Sequence, residues 1–158
     1  TDLVLRFGTT VQRQTILDGL LRFRAALYNA GLNNGFQWVD GSFLEHIERI
    51  ERRDPVDIDV VTFFHFPDGQ TQESLVQAHQ GLFDARRTKV DFHVDGYFVP
   101  LLPTAPEMLV QKATYWYSLW SHRRDSLWKG YLQVDLAPAD DAAAKASLDA
   151  MAQEGNAS

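Results

Sequence analysis

The chain has no cysteine among its 158 residues, which excludes disulfides, thiolate metal sites and cysteine nucleophiles together. Its apolar runs fall far short of the roughly 20 residues that a membrane-spanning helix needs. No charged start followed by an apolar run suggests a secretory leader. Proline (6) and glycine (10) are too few and too scattered to make a linker. Positive charge is the scarcer sign, 15 basic against 21 acidic residues for a net charge of −6. Such a surface disfavours duplex binding by phosphate neutralisation alone. A cytoplasmic protein with no membrane partner is the expectation.

What is present suits one domain. Hydrophobic residues make up 45%, enough for a core at this length without staples. Basic residues cluster at Arg49, Arg52 and Arg53, at Arg86, Arg87 and Lys89, and at Arg123, Arg124 and Lys129. Each cluster reads first as a solvated helix end or turn.

Thr9 and Gln12 have capping-box spacing, and Ile16, Leu17, Leu20, Leu21, Leu27 and Tyr28 follow as a helix with Gly31 as its stop. Phe36–Val39 reads as a strand, Glu45–Arg53 as a charged helix ended by Pro55, and Val56–Phe64 as a buried strand. A helix is expected around Leu75, Val76, His79, Leu82 and Phe83, and an alternating strand over Lys89–Phe98. Thr104, Pro106 and Glu107 open a further helix, on which Leu109, Ala113, Trp116 and Trp120 share a core-packing face and Tyr117 lies off it. Gly130–Leu136 reads as a last strand, and Pro138 opens an alanine-rich helix that gives way to a frayed tail at 155–158. Helices alternating with strands give an α/β or α+β domain over residues 1–154, built on one mixed sheet flanked by helices.

Phosphate loops of the Gly-Lys-Ser/Thr type, dinucleotide fingerprints, paired-histidine zinc helices and Gly-x-Ser-x-Gly elbows are all missing. The informative segment is Asp57-Ile58-Asp59-Val60-Val61. Strand alternation puts Asp57 and Asp59 on one side, with Ile58 and Val60 toward the core. Adjoining carboxylates repel, and a hard divalent cation relieves them; a solvated strand end with two exposed acids fits the pattern equally. In Lys89-Val90-Asp91-Phe92-His93-Val94-Asp95, a strand would put Asp91, His93 and Asp95 on one face. Asp91 could then complete a three-carboxylate cluster, His93 reads as a partly buried histidine, and Asp95 as a turn acid before Gly96. Val39-Asp40-Gly41-Ser42-Phe43 joins a strand to a helix, where amides and a small hydroxyl can approach a phosphate; an ordinary Gly-Ser turn with Ser42 as N-cap fits too.

In this order, Val39-Asp40-Gly41-Ser42, Asp57-Ile58-Asp59-Val60 and Val90-Asp91-Phe92 resemble the motif set of the DNA polymerase β-type nucleotidyltransferase superfamily. Phe36–Leu44 with Lys129-Gly130 also resembles a poorly characterised bacterial family of that fold. The likeness covers Trp38 to Val94 and implies a single-domain nucleotidyltransferase fold. It implies that Gly41 and Ser42 hold the phosphates of a nucleoside triphosphate, with Lys129 as a further phosphate contact. Asp57, Asp59 and Asp91 would be the catalytic, Mg²⁺- or Mn²⁺-binding acids that pass a nucleoside monophosphate to a hydroxyl of a protein or RNA acceptor. Small relatives of this kind imply a toxin–antitoxin or antiviral setting, with a homodimer or partner protein completing the acceptor site. Fourteen residues separate Ser42 from Asp57, at the long end of the family pattern. Two other readings stand beside this one. One is a catalytically silent interaction subunit of the same fold; the other is a metal-dependent phosphodiesterase using Asp91, His93 and Asp95, which the scattered remaining histidines disfavour.

Overall fold

A computed structural model describes residues 1–156. A helix not foreseen, α1 (Asp2–Phe7), precedes α2 (Val11–Asn29). Thr10, not Thr9, caps α2, its hydroxyl accepting from the Arg13 amide at 3.2 Å. Then follow β1 (Gly35–Asp40), a 3₁₀ turn (Ser42–Leu44), the one-turn α3 (Ile47–Ile50) and β2 (Ile58–His65). Next come α4 (Gln72–Ala78), a second 3₁₀ turn (Gln80–Phe83), α5 (Ala85–Phe92), β3 (Val94–Leu102), α6 (Pro106–Trp120), β4 (Leu132–Asp135) and α7 (Pro138–Asn156). The tail expected at 155–158 begins inside α7, and residues 157–158 lie outside the described residues. No described helix is long and apolar enough to cross a membrane.

The four strands form one mixed sheet in the order β3-β2-β1-β4. β1 runs antiparallel to β2 and β4, whereas β2 and β3 are parallel and joined through α4 and α5. Alternation along β2 sends Ile58, Val60 and Phe64 to one face, where they pack with Ile16, Leu20, Phe23 and Leu27 of α2 and Leu148 of α7. Val61 and Phe63 go to the other face, against Trp116 and Trp120 of α6, as the helical spacing of those tryptophans requires. The expected α/β architecture, a mixed sheet between helices, is thus the observed one. On the α2 side a buried polar chain crosses the layer: the Arg24 guanidinium donates to Gln37 Oε1 (2.5 Å), Asp141 Oδ2 (2.7 Å) and the Asp135 carbonyl (2.7 Å), and Gln37 donates to Thr62 Oγ1 (2.9 Å).

The helix expected through Leu75 to Phe83 breaks at His79 into α4 and the second 3₁₀ turn, and α6 starts from Ala105 without a side-chain cap, the Thr104 hydroxyl donating instead to the Pro100 carbonyl at 2.7 Å. Two larger departures follow. The charged helix over Glu45–Arg53 shrinks to the single turn of α3. The buried Arg13 is the cause: it donates to the Phe43 and Glu45 carbonyls at 2.6 Å each and grips Glu48, drawing that backbone into an irregular loop. The second departure bears on function. Lys89–Phe92 is helix, not strand; Asp84 caps α5 by accepting from the Arg86 and Arg87 amides, and His93 ends it in the left-handed region at φ 56°. The inward residues are Thr88 and Phe92, at helical spacing, with the Phe92 ring 5.9 Å from that of Phe23. Val90, which alternation would bury, is 79% exposed.

Candidate functional site

Because side chains directly paired across strands share a face, the register places three aspartates in one row. Asp40 at the end of β1 faces Asp59 near the start of β2, and Asp59 faces Asp95 near the start of β3. All three project to the α6 side of the sheet, the parity set by Trp38, Val61 and Val99. Asp57, two residues before Asp59, joins them at the strand entrance. They line one wall of a cleft of about 670 Å³, together with Gly41, Ser42, Lys89 and Lys129. The pair Asp57 and Asp59 therefore lies where alternation put it.

Asp91 does not join them. It sits on the exposed outer part of α5, outside the cleft, and its backbone carbonyl accepts from Arg22 at 2.9 Å. The third carboxylate is Asp95, two residues past the left-handed turn at His93. The phosphodiesterase grouping of Asp91, His93 and Asp95 fails with the strand it needed: Asp91 is helical, and His93 is the helix C-cap.

The electrostatics of the row follow from burial and crowding. Asp59 lies in the middle, and its carboxyl is pushed up to about 6, first by desolvation and then by the charges of Asp57, Asp95 and Asp40, with Lys89 opposing. Asp40 is only 2% exposed, and burial raises its carboxyl too, against the Lys129 ammonium 2.8 Å from Oδ2. Its Oδ1 is buried without a hydrogen bond of normal geometry, the Gly41 amide only easing its charge. Lys129, expected at a phosphate, is thus committed to Asp40, with Glu45 a further 3.9 Å contact. Lys89 bridges Asp57 (2.7 Å) and Asp95 (3.3 Å), which hold its ammonium well above the ordinary lysine range.

Gly41 adopts φ +94°, and a Cβ there would stand 2.3 Å from Asp59 Oδ2. Only glycine lets the turn close over that carboxylate. Gly41→Ala is expected to lower stability by about 1–3 kcal/mol through left-handed strain and this clash, read as a drop in the urea midpoint. An unchanged midpoint would mean the turn has room to open. Ser42 starts the 3₁₀ turn rather than capping a helix, so the helix dipole expected behind it is absent. Among the described residues its hydroxyl has no hydrogen-bond partner, and it lines the cleft. In the sequence Asp40 and Lys89 carry no role of their own in the motif set, and Asp95 reads as a turn acid. Asp40 has no such signal, because β1 and β2 are joined by residues 41–57 rather than by a tight turn whose pairs could be counted, and Lys89 and Asp95 needed the boundary of α5.

Among the described residues no three acidic or histidine side chains form a ready-made metal cage; the two lysines hold three of the four carboxylates. The carboxylates that could hold a hard divalent ion are those of Asp57, Asp59 and Asp95, an all-oxygen set centred on a carboxyl crowded by like charge. A second hollow of about 400 Å³ is lined by α1, α2, α7 and the end of β4; its charged groups are Asp2, Asp135, Asp140, Asp141 and Arg24, the last already paired with Asp141.

No curated protein and no solved structure matches this chain. A family model matches residues 1–135, the span holding every strand and every residue of the aspartate row, and the chain belongs to that family, DUF6932, a family of unknown function.

Proposed function

We propose that this protein is a Mg²⁺-dependent nucleotidyltransferase that moves a nucleoside monophosphate from a triphosphate to a hydroxyl of a protein or RNA acceptor. The observation that carries the reading is the row Asp40–Asp59–Asp95 with Asp57, set on one sheet end beside the Gly41-Ser42 turn. Asp57, Asp59 and Asp95 would hold the divalent ion, Asp95 taking the role expected of Asp91. When bound, the ion would offset the charge of the triphosphate and of the departing pyrophosphate. The Ser42 hydroxyl would donate to a phosphate oxygen. Asp95 would accept the proton of the acceptor hydroxyl as its oxygen bonds to the α-phosphorus and the bond to pyrophosphate breaks. The toxin–antitoxin or antiviral setting and the completing partner rest on resemblance alone.

A second reading, the catalytically silent subunit, draws on Lys89 and Lys129, which already neutralise part of the row. Incubation with each α-labelled triphosphate, Mg²⁺ or Mn²⁺ and cell lysate separates the two. Label in the protein or RNA fraction that disappears with chelator is the expected result. Label in neither fraction with any triphosphate would favour the silent subunit.

A further inference from the structure

We propose that Lys89 is a built-in stand-in cation, whose ammonium occupies the gap between Asp57 and Asp95 and must be displaced before a divalent ion enters the aspartate row. This rests on the metal-dependent reading above and adds a residue that sets the metal threshold of the site.

The geometry is specific to Lys89. It reaches from the last turn of α5 to two carboxylates on different segments, Asp57 ahead of β2 and Asp95 in β3. Four aspartates here face two lysines, and Lys129 is spent on Asp40. Among the described residues no cation other than Lys89 pairs with Asp57, Asp59 or Asp95. Its side chain is 47% exposed, so the contacts are reversible surface bonds rather than a sealed ion pair, and the flexible stem allows departure.

Charge counting then gives selectivity. Replacing the ammonium by Na⁺ or K⁺ exchanges one positive charge for another and gives up a tethered partner. Replacing it by a divalent ion adds a net positive charge to a cluster short of it. Millimolar monovalent salt therefore leaves Lys89 in place, and a divalent ion does not.

Manganese binding by calorimetry tests this without reference to activity, using the metal alone on the full chain. Lys89→Met removes the competitor while keeping the stem, and is expected to tighten Mn²⁺ binding about 3- to 10-fold, the combined strength of two half-exposed ionic contacts. Lys89→Arg keeps the charge and can fork both carboxylates, so it is expected to bind Mn²⁺ no more tightly than the parent. Arg86→Met, on the same helix but outside the cleft, controls for loss of distant positive charge and should change binding less than about twofold. Lys89→Met binding no more tightly than the parent, or matched by Arg86→Met, overturns the stand-in role while leaving the metal site intact. No Mn²⁺ binding by parent or variant would overturn both this role and the metal-dependent reading.

Discussion

Asp59→Asn is expected to abolish nucleotidyl transfer and to make the metal-free protein more stable. The two effects share one cause. Asp59 is crowded by Asp57, Asp95 and Asp40 and partly desolvated, so its negative charge costs the folded state free energy unless a cation offsets it. A carboxyl held near 6 rather than its ordinary 3.8 sets an upper limit of about 3 kcal/mol on that cost. Because the folded value lies above the unfolded one, the stabilised form is the protonated one. Stability of the metal-free parent should fall as pH rises from about 4 to about 6, and the full cost applies above that window. The asparagine variant has no charge to lose, so it should melt above the parent at pH 7.5, with the gap closing near pH 4. After allowance for solvent screening and imperfect hydrogen bonding by the amide, about 1–2 kcal/mol remains, or roughly 2–8 °C at this chain length. Transfer should drop by about 10³-fold, the loss of a charged ligand worth several kcal/mol. Melting curves at both pH values with a labelled-triphosphate assay check the pair. An asparagine variant that melts well below the parent at pH 7.5 would make Asp59 a structural hydrogen-bond partner. Full transfer by that variant would remove the row from catalysis.

The second large effect is a contrast between two aspartates four positions apart. Asp95→Asn should cut transfer by about 10²- to 10³-fold, whereas Asp91→Asn should stay within about twofold of the parent. Asp95 is paired across the sheet with Asp59 and contributes to its raised carboxyl, while Asp91 stands on the outside of α5. Asp95→Asn should therefore also lower the pH at which Asp59 titrates, because one of the like charges pressing on it is gone. Carbon-detected NMR of the aspartate carboxyls reads that midpoint directly. Loss of transfer on Asp91→Asn, with Asp95→Asn active, would reverse the assignment and point to a rearranged α5.

The contrast shows where local reading ends. Asp57 and Asp59 could be placed on one face from residue order, since a strand has a period of two and Ile58 and Val60 fix the inward side. Trp116 and Trp120 were legible for the equivalent helical reason, as was the sharp turn at Gly41. Those features depend on neighbours in sequence. The stretch 84–95 satisfies two periods at once: Val90, Phe92 and Val94 alternate, yet Asp84, Thr88 and Phe92 also fall at helical spacing. Tertiary packing decides between them, through the Asp84 cap and the seat of Phe92 against Phe23 of α2. Once α5 ends at Phe92, Asp91 is carried outward and Asp95 enters the sheet.

Distance along the chain explains the remainder. Arg13 unmakes the charged helix over Glu45–Arg53 by claiming two carbonyls about 30 residues away, a partnership that no local pattern encodes. Asp40 becomes part of the row only through strand register, and Lys89 and Lys129 become its counter-ions only through the crossover and the last loop. Residue order alone sets the two faces of β2, the turn at Gly41 and the crowding of acids at the start of β2. The tertiary structure decided which acids meet and which cations meet them, because Coulomb interactions and desolvation act through space, between side chains whose separation in sequence carries no periodic trace.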